Sequence, residues 1–60
     1  MNNTKILLTI IDNLKKGLYA DAEYDCSLLP KKAGKHIVGT LHKCGESSAI
    51  TVADRYLGNI

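Results

Sequence analysis

The chain has 60 residues, 45% of them apolar and 23% charged, with a formal net charge of +2, two cysteines, and neither Trp nor Phe. That length is expected to fold as one small domain, 1–60, burying only about 60% of its unfolded surface around an aliphatic core. The apolar content excludes a disordered chain, and no apolar run approaches the roughly 20 residues of a bilayer span.

The first element is the most plainly written. Asn2, Asn3 or Thr4 offers a side-chain oxygen to the unpaired amides of a first helical turn. Leu7, Ile10, Ile11, Leu14 and Leu18 then recur at the three- and four-residue intervals of one helix face. Gly17 is placed to end the helix in the left-handed region, with Leu18 folding back as the apolar contact that follows. Ile6 and Leu8 widen the stripe beyond what one neighbour covers, which predicts a second packing surface. Asp12, Asn13, Lys15 and Lys16 contradict a secretory signal, so residence in the cytoplasm is expected.

Over residues 19–29, Ala22, Cys26 and Leu29 share a face if Asp21 caps or opens a short helix. Pro30 stops that helix and is suited to open the next. From there Ala33, Ile37, Leu41 and Cys44 follow at spacings of four, four and three, with Gly45 as a stop. Gly34 and Gly39 weigh against a helix, and Ile37, Val38, Thr40 and Leu41 also suit a strand. In the last segment Ala49, Ile50, Ala53, Tyr56, Leu57 and Ile60 lie on one helical face. Ser47 or Ser48 is the expected cap and Gly58-Asn59 the expected end. The pattern predicts an all-α fold, a small bundle of three to four short helices. The alternative is α+β, with an N-terminal helix packed on a β-hairpin at 36–53. Its core is Ile6, Leu7, Leu8, Ile10, Ile11, Leu14, Leu18, Leu28, Leu29, Ile37, Val38, Leu41, Ile50, Val52, Leu57 and Ile60. A core of this size rarely supplies more than roughly 3–5 kcal/mol, which makes docking on a partner or on a second copy, as a homodimer, an expected source of stability.

Catalytic chemistry finds little support. Cys26 and Cys44 stand too far apart for the close ligand pairs of a zinc finger, and His42-Lys43-Cys44 is the only tight pair. No metal or other cofactor is expected, and two cysteines are too few for a disulfide scaffold, so reduced thiols in the core are predicted. No glycine-rich phosphate loop occurs. Asp21, Glu23 and Asp25 alternate like calcium ligands but lack the turn glycine and closing glutamate of such a loop. A nucleophile, base and orienting group cannot be singled out, and the chain is read as non-enzymatic.

The charges, however, are sorted into blocks. Asp21, Glu23 and Asp25 stand together, and between Pro30 and Cys44 there is no acid while Lys31, Lys32, Lys35, His36, His42 and Lys43 accumulate. Lys31-Lys32-Ala33-Gly34 followed by Leu41 resembles the opening of a helix-turn-helix over about a dozen residues. Pro30 stands where that motif takes a small helical residue, and a register using Gly45 as the turn puts Asp54 at an apolar position, so no family follows. Two functions fit. The first is a regulatory or inhibitory module that occupies the surface of a partner protein, with Tyr19, Asp21, Glu23 and Tyr24 as contact residues. The alternative is a nucleic-acid-binding regulator that uses Lys31, Lys32, Lys35, His36 and Lys43 on phosphates. With Arg55 as the single arginine, guanine reading has few candidates.

Overall fold

A computed structural model describes residues 2–58. These fold into four helices: α1 (Asn3–Lys15), α2 (Tyr19–Cys26), α3 (Lys31–Cys44) and α4 (Glu46–Gly58). The all-α expectation holds. No strand occurs among the described residues, so the hairpin at 36–53 is overturned: α3 and α4 cover that segment and break only at Gly45. The helical period of Ala33, Ile37 and Leu41 prevails over the β-preference of the residues between them, because burying that stripe contributes more than local propensity opposes.

α1 is capped at both ends by its own sequence. The Asn2 side-chain oxygen accepts from the Thr4 amide at 2.9 Å. At the other end Gly17 takes a φ of 77°, its amide donates to the Leu14 carbonyl, and the Leu18 amide donates to that of Asn13. These are the two crossed bonds of a Schellman stop. Leu18 itself does not fold back into the core; it stays exposed.

α2 begins at Tyr19, two residues before Asp21, which lies in its first turn. Ala22, Cys26 and Leu29 do share a buried face. Pro30 forms the N-cap of α3. Between α3 and α4 a single residue, Gly45 at φ 95°, makes the whole reversal, donating back to Leu41 while its carbonyl accepts from Ala49. Ser47 and Ser48 therefore lie inside α4 rather than capping it, because no loop residue is left to place them outside. The stop expected at Gly58-Asn59 falls partly outside the described residues, as does Ile60.

The helices pack in a ring, α1 on α2, α2 on α3, α3 on α4 and α4 back on α1. The α2–α3 contact is the sparsest of the four. The core consists of Ile6, Leu7, Ile10 and Leu14 from α1, Ala22 and Cys26 from α2, Leu29, Ile37 from α3, and Ala49 and Ala53 from α4. Ile11, Val38, Leu41, Ile50, Val52, Tyr56 and Leu57 surround it, partly buried. Three expected core residues are exposed instead: Leu8 (52%), Leu18 and Leu28. α1 has only two helical neighbours, and Leu8 points away from both, so the wide stripe finds no second packing surface within the chain. Small residues at 22, 49 and 53 let the helices approach one another, and Gly34 is the extreme case. A β-carbon there would lie 2.3 Å from the Cys26 carbonyl oxygen, so α2 and α3 meet backbone to backbone at this point. No described helix is long and apolar enough to cross a membrane.

A basic ridge and an open groove as the candidate site

The acidic-side residues expected to form one contact surface are separated by the fold. The Tyr19 hydroxyl donates to Glu46 Oε2 at 2.5 Å, tying the start of α2 to the start of α4. That hydrogen bond, then the Glu46 charge, raises the Tyr19 hydroxyl above its ordinary pKa. Glu23 turns toward α3 and meets His42 Nε2 at 3.0 Å. Asp25 accepts from Asn13 Nδ2 at 2.8 Å, bridging α2 to α1. Only Asp21 and Tyr24 remain fully presented, Tyr24 at 66% exposure on the outward side of α2.

The basic residues are kept together. Lys31, Lys32, Lys35, His36, His42 and Lys43 all lie on α3 and all are exposed. Lys31, Lys35 and His42 follow the edge toward α2, and Lys32, His36 and Lys43 the edge toward α4, as helical spacing requires. Among the described residues, none of the four lysines has a carboxylate within ion-pair distance; the pairs formed are Lys16–Asp12 and His42–Glu23. His36 is fixed from the α4 side, with Nδ1 2.9 Å from the Tyr56 hydroxyl and the two rings edge to face.

Beside the close approach at Gly34 an open groove of about 630 Å³ runs between α2 and α3. Its floor is Cys26, Leu29, Gly34, Val38 and Gly39, with Lys31 and Lys35 on one rim and Glu23 and Ser27 on the other. The ridge and groove thus offer an apolar strip with cations on one bank and a carboxylate on the other. Gly39 belongs to this surface and was absent from the site residues singled out by sequence. The signal was present, since it stands four residues from both Lys35 and Lys43, but it emerges only once α3 is known to be a helix.

Cys26 and Cys44 are both free. Cys44 is exposed rather than packed in the core, because it occupies the last residue of α3, where the helix leaves the bundle. Cys26 is buried, and burial, followed by the charges of Asp25 and Glu23, pushes its thiol up to about 11. Since the thiolate is the reactive form, a maleimide at pH 8 should modify Cys44 alone, with Cys26 reacting only after denaturant is added. Mass spectrometry reads the outcome: two adducts on the folded chain would contradict the placement of Cys26. Among the described residues no three His, Cys, Asp or Glu side chains gather in a group that could hold a metal ion.

No family model, curated protein or solved structure matches the chain.

Proposed function

We propose that the protein is a non-catalytic binding module that docks on the surface of a partner protein through α3 and the α2–α3 groove. One observation carries this reading: four exposed lysines lie along a single fourteen-residue helix with no acidic partner among the described residues. Charges left uncompensated on one rigid element create a local positive field that steers and orients an oppositely charged surface. The groove beside them supplies the apolar centre that a protein side chain fills. Tyr24, exposed on the outward side of α2, adds an aromatic anchor beyond the groove.

Nucleic acid is the second reading, and the same lysines support it. Two features favour a protein. Arg55, the one arginine, belongs to α4 and not to the ridge on α3, and a phosphate backbone has nothing apolar to place against Val38 and Leu29. Of the tyrosines, Tyr19 is engaged by Glu46 and Tyr56 by His36, and the exposed Tyr24 stands on α2 rather than on the ridge.

The test is a pull-down with the intact chain, with and without nuclease, comparing wild type with the Lys31→Glu, Lys35→Glu double variant. A retained protein that survives nuclease and is reduced at least about ten-fold by the double variant is the expected result. Retention abolished by nuclease would transfer the ridge to nucleic acid. Undiminished retention by the double variant would remove α3 from the contact.

A further inference from the structure

Gly39 stands in the middle of α3 with no positive φ, and a β-carbon built on it would meet nothing within 4 Å. Neither a turn nor a close approach asks for glycine here, and a glycine inside a helix is less favourable than alanine. The residues around it are distinctive. On a helix surface the neighbours of a residue are those three and four positions away. For Gly39 these are Lys35, His36, His42 and Lys43, all basic and all exposed.

Gly39 also borders two recesses, the α2–α3 groove and a smaller one of about 280 Å³ lined by Lys35, His36, Thr40, Lys43 and Cys44. Both imidazoles are held from outside the cluster, His36 by Tyr56 and His42 by Glu23. Neither lysine is held by a carboxylate among the described residues. Their positions lie about 12 Å apart along the helix axis, with Gly39 midway, and their flexible four-carbon stems let both ammonium groups swing over it. The surface is a saddle: a bare stretch of helix between two cationic shoulders.

We propose that this saddle binds a phosphoryl group presented as a phosphomonoester on a side chain of the partner protein. The inference rests on the reading of α3 as the contact face and names the chemistry found there. Two ammonium groups carry more charge than one carboxylate neutralises, and the imidazole adds an oriented ring nitrogen. A phosphomonoester brings a charge of about −1.5 to −2 and three acceptor oxygens. A phosphodiester brings one charge and two free oxygens. The missing side chain at 39 lets a tetrahedral group settle between the lysines, where any larger residue would hold it away from both.

The intact ¹⁵N-labelled chain is titrated at constant ionic strength with three probes: doubly capped phosphoserine, doubly capped glutamate and dimethyl phosphate. Phosphoserine should give saturable shifts centred on Gly39, Thr40 and His36, with the other two at least about ten-fold weaker. Gly39→Leu should weaken phosphoserine by at least about ten-fold while the chain stays folded. Gly39→Ala should raise the melting temperature by up to about 8 °C, the sign expected where the fold has no need of glycine. Equal response to the three anions, absence of saturation, unchanged binding by Gly39→Leu, or a lower melting temperature for Gly39→Ala would each overturn the saddle. A stronger response to dimethyl phosphate would overturn it in favour of nucleic acid. A chain that still captures a nuclease-resistant protein through Lys31 and Lys35, yet ignores phosphoserine, loses the saddle and keeps the docking surface.

Discussion

Gly34→Ala is expected to destabilise the protein by about 1–3 kcal/mol, against the usual direction of a glycine-to-alanine change in a helix. Inside α3 the substitution improves helix propensity by up to about 1 kcal/mol. The added methyl, however, would sit 2.3 Å from the Cys26 carbonyl oxygen and 3.3 Å from its carbon. Both atoms are backbone, so no rotamer change relieves the contact. α2 must move away from α3 along the sparsest of the four helix interfaces. The Cys26 carbonyl is also the acceptor for the Leu29 amide in the turn that leads to Pro30, so the shift loosens the inter-helix turn as well. Urea unfolding followed by circular dichroism at 222 nm measures the loss. A midpoint at or above that of wild type would refute the close approach of these two helices.

Leu14→Ala should be the most damaging single change, at about 3–5 kcal/mol. Leu14 has no exposed surface, and it lies near the end of α1 beside the Schellman stop. It shares the core with alanines at 22, 49 and 53. Alanines have no side-chain length with which to collapse into a cavity, so most of the lost volume remains empty. A domain of this size has a total stability of about 3–9 kcal/mol at the usual per-residue range. The variant is therefore expected to be largely unfolded at 37 °C, with its helical signal lost and amide exchange rapid throughout. Leu8→Ala provides the contrast. That leucine is exposed, and the substitution should change the stability by no more than about 0.5 kcal/mol.

The contrast between Leu14 and Leu8 marks how far the sequence could be read. Local features were legible: the Asn2 cap, the Gly17 stop, the buried face of Ala22, Cys26 and Leu29, and the break at Gly45. Each depends on residues within one or two turns of one another. Leu8, Leu18 and Leu28 are as apolar as the residues that are buried, and only the positions of the other helices decide which leucines are covered. The same limit governed the candidate site. Tyr19 and Glu23 look available by composition, but Glu46 lies 27 residues from one and His42 19 residues from the other. No local spacing announces such pairs. The lysine ridge was legible because it is a property of one helix, whereas the groove beside it depends on how α2 meets α3.

The one-residue reversal at Gly45 bears on the order in which the chain assembles. With so short a connection, the stripes of α3 and α4 find each other after minimal loop closure, and the Gly17-Leu18 turn does the same for α1 and α2. Most contacts in the fold are between residues near in sequence, and the closing of α4 on α1 is the long-range step. Chains dominated by local contacts cross their folding barrier in microseconds to milliseconds. Each hairpin leaves one apolar side uncovered until the two dock, so the interval before ring closure is when the chain exposes most of its core to other molecules.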